Sequence, residues 1–313
     1  MNGTIAITDY GWYELLLAHP ELQEVNFWTP SPRRSFNAEP FSPFFFKLKA
    51  PHRAIYGFAF FAQWSALPDW LAWETFRIGN GCRSLQEMRD RIQEIRARIR
   101  FETTGSLNEI GCIQLVQPTF FKPDEWIEQP NDWHVRIVTY KRYDLSSGEG
   151  SRIWQECLAR RPLTETAISA NSRDVGQGDN PRYGRPQVIL PRLGQGTFRI
   201  AVTEAYERAC AVTGEHSLPA LDAAHIKPFA SDGPHDVTNG LLLRADIHRL
   251  FDSGYVTITP NLQLEVSSRL REDYQNGRSY YPLHGSPIRI PVLSHLSPSQ
   301  EFLRWHNENK FLR

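Results

Sequence analysis

Apolar positions change rhythm along the chain, and each rhythm predicts a kind of element. Over the N-terminal part they come in dense runs, PFFFKLK, AIYGFAFFAQW and IGCIQLVQPTFF, each bounded by Pro or Gly, which predicts β-strands. Between the last two runs the period lengthens. Leu85, Met88, Ile92, Ile95 and Ile99 form one apolar stripe, and Ser84 with Glu87 makes a capping box at its start, so a helix is predicted there. Arg89, Arg91, Arg96, Arg98 and Arg100 cover its other faces, either as a solvated surface or as a face for phosphates. Periodicity is then lost in RRPLTETAISANSRDVGQGDNPRYGRPQVILPRLGQG, which is dense in Pro, Gly, Ser and Asn and reads as a linker over 159–195. Arg160, Arg161, Arg173, Arg182, Arg185, Arg192 and, just beyond, Arg199 outnumber its acids, so the stretch either lies along phosphates or stays solvated. After it, Phe198, Val202, Ala205 and Ala209 return at helical spacing, with Thr197 placed to cap the helix. LDAAHI alternates as a strand until Pro228 stops it, FASDGPHDVT is a turn-rich loop, GLLL is a short strand, and a helix begins at Ala245. YVTITPNLQLEVS alternates around a Pro-Asn turn as a hairpin, and Ser297, Pro298 and Gln300 signal a helix start before EFLRWH.

Strands and helices in this order predict an α+β chain, and 313 residues are enough for two cores, divided as 1–158, a linker over 159–195, and 196–313. Thirty-five basic residues balance 35 acidic ones, so any contact with a polyanion is local rather than a uniform positive coat. The N-terminus lacks a charged region followed by an apolar one, and no apolar run approaches membrane-spanning length. A cytoplasmic protein without a membrane partner is expected. Cys82, Cys112, Cys157 and Cys210 show no paired spacing, which predicts ordinary buried thiols and no structural zinc.

The chemistry concentrates between Leu221 and Asp252. Hydrolysis of a phosphodiester needs a cation to neutralise the phosphate and a base to deprotonate a water held in line. His225 stands at a strand end facing a loop, where an imidazole can take a proton near neutral pH. Asn239 ends that loop with a side chain able to bind backbone. His248 and Asp252 lie four apart on a helix and share a face, and an imidazole with a carboxylate suits Mg, Mn or Zn.

This strand, loop, strand and helix carrying His, Asn and His, over about residues 205 to 256, closely resembles the HNH nuclease family, whose members share a ββα-metal fold. The resemblance implies that His225 is the general base, Asn239 the residue orienting the loop, and His248 a metal ligand, with Asp252 in the second helical ligand position. Many members place a His or Asp directly before the base, whereas Ala224 stands here. Asp222 is the nearest carboxylate that can substitute, and on an ideal strand it faces away from His225, so this role requires a bulge or a bend. Where many members carry paired zinc cysteines, this chain has Arg244 and Ile247, and Cys210 stands without a partner cysteine. Lys227 and Arg244 are candidates for phosphate contact or for plain surface charge. His216, His235 and His284 read as structural histidines, with His235 in the loop that could approach a phosphate.

Of nine Trp, eight precede the linker, namely Trp12, Trp28, Trp64, Trp70, Trp73, Trp126, Trp133 and Trp154, and most are expected in cores. An aromatic pocket in a small β-domain is also a receptacle for a flipped base. The succession VNFW, FFFKLKAPHRAIYGFAFF and IGCIQLVQP resembles the PUA-like EVE group, closed β-barrel readers of modified bases. The resemblance implies Trp28, Phe46, Phe61 and Trp64 as pocket candidates, with Lys47 and Lys49 alternating onto the opposite face, toward nucleic-acid backbone or solvent. Together the two resemblances imply a modification-dependent restriction endonuclease. Its first half would read a modified cytosine such as 5-methylcytosine in double-stranded DNA, and its second half would cut foreign DNA with Mg or Mn, or with Zn. The products would be a 5′-phosphate and a 3′-hydroxyl. Efficient double-strand cutting is expected when two copies meet on DNA as a homodimer. Two other readings stay open. One is an HNH nuclease whose first half senses phosphorothioate DNA, a nucleotide signal or RNA, and the other is a non-catalytic DNA-binding module.

Overall fold

The computed structural model describes residues 1–99, 108–160 and 193–313. The chain divides into two compact units, Met1–Arg192 and Leu193–Arg313. Most of the expected linker, with Arg161, Arg173, Arg182, Arg185 and Arg192, lies outside the described residues, as does Arg100.

The first unit runs β1 (Asn2–Thr8), α1 (Tyr10–Leu17), β2 (Glu24–Thr29), β3 (Pro43–Leu48) and the long β4 (Ala54–Pro68). It continues with α2 (Asp69–Phe76), α3 (Leu85–Arg98), β5 (Glu109–Phe120), β6 (Ile127–Glu128), β7 (Tyr140–Asp144) and α4 (Gly148–Arg160). These strands form one sheet in the order β2-β5-β4-β3-β1-β7, with β6 paired to β4. Among the described residues β1 and β3 run parallel and the other strand pairs of this sheet are antiparallel. The run PFFFKL is continuous because β3 is covered on both sides: Phe44 and Phe46 enter one apolar cluster and Phe45 the other. That position also corrects the expectation for Lys47, which is only 3% exposed. Its ammonium donates to the carbonyl of Leu48 at 3.1 Å and stands over the Trp133 ring, and burial pulls its pKa down to about 8. Lys49 is exposed and ion-paired with Asp9.

Helix α3 forms where the stripe predicts it, with the Ser84 hydroxyl accepting from the Glu87 amide at 3.1 Å. Its arginines, however, are mostly committed within the protein. Arg89 grips the buried Asp69 with two bonds of 2.8 and 3.1 Å. Arg96 is buried and donates to the carbonyls of Pro30 and Glu109, at 2.8 and 2.7 Å, tying β2's exit and β5's start to the helix. Arg96 is therefore not a solvated or phosphate-facing charge, and Arg89, although partly exposed, is committed to Asp69.

The second unit begins with α5 (Gln195–Ala205), then β8 (Leu221–His225), β9 (Gly240–Arg244), α6 (Ala245–Asp252), β10 (Val256–Ile258), β11 (Leu264–Val266), α7 (Arg269–Tyr274) and α8 (Gln300–Asn309). β8 pairs antiparallel with β9, placing His225 opposite Gly240, and β10 with β11 forms the hairpin read from YVTITPNLQLEVS. α5 starts earlier than expected, with Gly194 at the N-cap, so Thr197 is buried inside the helix and does not cap it. α8 is capped by Ser299, whose hydroxyl accepts from the Glu301 amide. Phe198 and Val202 from α5, Leu241 and Leu243 from β9, Ile247 and Phe251 from α6 and Leu303 from α8 share one core. His306 completes it from α8: its ring lies on Phe251 at 3.7 Å, with Nε2 facing the Phe251 carbonyl at 3.1 Å and Nδ1 the Thr257 hydroxyl at 2.8 Å. The architecture is α+β throughout. Among the described residues no helix is long and apolar enough to cross a membrane.

Candidate active site

β8 ends by delivering His225 to the start of a loop, and α5 fixes the plane of its ring. Phe198 stacks on the imidazole with centroids 3.9 Å apart and planes 15° from parallel. The strand residue opposite His225 is Gly240, and a Cβ there would overlap Val202 and crowd the Phe198 ring, so glycine is what lets α5 lie this close. Burial, and then the neighbouring imidazoles of His235 and His248, pull the pKa of His225 down to about 4. The ring is therefore neutral, and able to accept a proton, at physiological pH.

The loop from Ile226 to Asn239 is closed by Asn239, which is fully buried. Its carboxamide oxygen accepts from the Lys227 amide at 2.8 Å, and its nitrogen donates to the carbonyls of Lys227 and Pro234, each at 2.9 Å. One side chain thus ties the segment just after His225 to the residue just before His235. Gly233 helps, because a Cβ there would overlap the Lys227 carbonyl. The result is a contact that spacing did not reveal: His225 Nε2 and His235 Nδ1 lie 2.9 Å apart. His235 in turn stacks on Phe229, with centroids 4.8 Å apart and planes 8° from parallel. His235 is stacked and hydrogen-bonded as a structural histidine would be, but its bond to His225 carries no periodic signal, because the two lie ten residues apart across an irregular loop; only its place between Pro228 and Asn239 hints at it.

Helix α6 supplies the other half. His248 Nε2 and Asp252 Oδ2 lie 3.3 Å apart, as four-residue spacing on a helix requires. Asp222 Oδ2 lies 3.4 Å from the other ring nitrogen, His248 Nδ1. It gets there without a bulge, because β8 and β9 stay in register from Leu221 to His225. The expected need for a bend came from referring Asp222 to His225; its partner is His248, which α6 carries over the two-stranded sheet.

These donors bear on a metal as follows. Two ligands held about 2.1 Å from one ion at a right angle are about 3 Å apart, so His248 Nε2 and Asp252 have the spacing of adjacent ligands. Asp222 meets the opposite nitrogen and does not join that pair. Among the described residues no group of three His, Cys, Asp or Glu side chains is arranged to hold an ion. A hard divalent cation that keeps waters and takes phosphate oxygens fits such a sparse set.

Nearby basic groups are partly engaged. Arg244 forks onto Asp246 with two bonds of 2.7 Å, holding that carboxyl down at about 2, and Tyr280 donates to the same carboxylate. Lys227 extends over Trp305. Cys210 is buried, with its sulfur accepting from the amides of Thr213 and Arg244. His284 serves as an acceptor for the Val266 amide.

In the first unit the four aromatic candidates are not all on one face of the sheet. Phe46 is wholly buried, stacked against Tyr56 and Phe120, and Phe61 is buried against Phe36. Trp64 is half-buried beside the same cluster. Trp28 pairs in register with Cys112 and Trp64 with Ile113, so the two indoles project from opposite faces of the sheet. Trp28 donates to the Asn80 carbonyl at 2.9 Å.

Comparison with known proteins gives the following. Residues 210–259 match the HNH endonuclease family. Among solved structures, an ASCH protein from Zymomonas mobilis is similar over 49% of this chain and 94% of its own, at 15% identity and a TM-score of 0.33. TagI, a modification-dependent restriction endonuclease, is similar over 91% of this chain and 75% of its own, at 13% identity and a TM-score of 0.29. No curated protein matches the chain.

Proposed function

We propose, with the HNH endonuclease domain at residues 210–259 as premise, that the protein is a modification-dependent restriction endonuclease that reads a modified cytosine in DNA with its first unit and cuts with its second. The observation that carries the nuclease half is the placement of a neutral His225, on a loop clamped by Asn239, in the same ββα element as the His248 and Asp252 pair. The reader half is supported by the PUA-like pattern of the first unit's sequence.

In this mechanism His225 takes a proton from a water as its oxygen bonds to phosphorus, and the bond from phosphorus to the 3′ oxygen breaks. A 3′-hydroxyl forms when the leaving oxygen gains a proton from solvent water, and the oxygen of the attacking water stays on the 5′-phosphate. His248 and Asp252 would hold the divalent cation, and Asp222 would accept from His248 Nδ1 and orient the ring. Bound there, the cation would neutralise the phosphate and the charge growing on the leaving oxygen. Asn239 contributes by keeping the loop folded.

The test is plasmid cleavage in Mg or Mn with unmodified, 5-methylcytosine and 5-hydroxymethylcytosine DNA, using wild type and His225→Ala. Cutting of modified DNA alone, abolished in the variant, is the expected result. Equal cutting of all substrates would remove the modified-cytosine reader and leave the nuclease. No cutting with either metal would remove the nuclease.

A further inference from the structure

We propose that His235 is the positioning partner of the general base: it accepts the Nε2–H of His225 and thereby reserves the Nδ1 lone pair of His225 for the attacking water. The proposal rests on the nuclease reading for its chemistry, but the hydrogen bond at its centre can be examined without any cleavage.

The contact between His225 Nε2 and His235 Nδ1, at 2.9 Å, needs one proton between two nitrogens. There are two ways to place it. If His235 donates, a neutral His225 accepts at Nε2 and carries its own proton on Nδ1, and no lone pair remains for a water. If His225 donates, Nδ1 is left basic, and among the described residues nothing hydrogen-bonds to it. Only the second placement is compatible with a general base. A histidine's working nitrogen is set in this way by the bond its other nitrogen makes.

Three further features show a contact that the fold maintains. Phe198 and Phe229 each stack on one of the two rings, fixing both planes. Asn239 joins Lys227 to Pro234, which holds the backbone segments bearing the two histidines together. Gly233 permits the loop's close return to Lys227. The pair also has a chemical logic. Burial disfavours a positive charge on His225, which would make it a reluctant base. A charged His235 would add to that cost, whereas a neutral His235 accepting at Nε2 offsets part of it as the imidazolium forms, much as a carboxylate does in better-known dyads, but without placing a second negative charge beside the phosphate.

The experiment uses the full chain labelled with ¹⁵N-histidine, with the His225 signals identified by their loss in His225→Gln. Wild type should show His225 protonated at Nε2, with a ring proton protected from exchange. His235→Phe, which keeps a ring for Phe229 to stack on, should lose that protection. It should also lower kcat for plasmid cleavage by about 10- to 100-fold with KM changed less than about two-fold, the loss expected when a bond to a charged group is removed. His235→Asn, which can present an oxygen near the position of Nδ1, should restore the protected proton and return kcat to within a few-fold of wild type. His225 found protonated at Nδ1 in wild type would overturn the proposal, and so would an unchanged kcat in His235→Phe. If wild type proves unable to cut, the nuclease reading fails, while the position of the proton on His225 still decides whether the pairing exists.

Discussion

At His248 a single imidazole faces two carboxylates, and the geometry gives them different work. Asp252 approaches Nε2 at 3.3 Å and Asp222 approaches Nδ1 at 3.4 Å, so only one of them can share an ion with the ring. Asp252→Ala is expected to reduce Mn-dependent cleavage to background and to abolish Mn binding measured by calorimetry. Asp222→Asn keeps the shape but weakens the bond to Nδ1, and is expected to lower Mn affinity by about 10- to 100-fold, the usual effect of losing an outer partner of a ligand histidine. Equal losses in the two variants would mean that Asp222 is itself a ligand. Sequence spacing made the His248 and Asp252 pair visible because both lie on one helix, where contacts are fixed by local geometry. It missed the partner of Asp222 because that contact depends on how α6 crosses β8, which no periodicity encodes. His235 escaped for a related reason: an irregular loop brought it to His225.

Among the elements, α5 and β9 depend on each other through one missing methyl. Gly240 lets Phe198 and Val202 pack beneath the β8–β9 ribbon, and Phe198 is the surface on which His225 lies. Gly240→Ala should push the helix away at a cost of roughly 1–3 kcal/mol, as overpacking a tight interface does. Cleavage is expected to fall further than stability alone explains, since the His225 ring loses its support. Thermal unfolding together with cleavage well below the melting temperature checks this, and an alanine variant that melts and cuts like wild type would refute it. The sequence made the local parts of these elements plain: the α3 stripe, the β10–β11 hairpin, the ββα order. It left sheet order hidden, because β1 pairs with β3 on one side and with β7 on the other, over separations that no short window spans. Lys47 was misread for the same reason, as alternation puts it on the opposite face from Phe46 but cannot say that this face is buried too.

For the molecule as a whole, the distribution of buried histidines makes acid stability a property of the second unit. His306 is 2% exposed, and burial lowers its pKa to about 4, although the Phe251 carbonyl favours the charged ring; His225 is lowered to about 4 as well. Between these folded values and the ordinary histidine value near 6.5, the unfolded chain binds more protons than the folded one. Stability from both groups is therefore fully present above about pH 6.5 and is lost as pH falls toward 4. For His306 alone the loss is of order 3 kcal/mol. Carboxylates act lower on the scale, since Asp246 in the second unit and Glu149 in the first are both held down at about 2 by arginine partners. Calorimetry from pH 7 to 4 should thus show the transition of the second unit moving down before carboxylate protonation affects either unit. His306→Gln, which retains a donor and an acceptor but does not titrate, should flatten part of that slope. A slope identical to wild type would mean that burial does not hold His306 neutral in the folded protein.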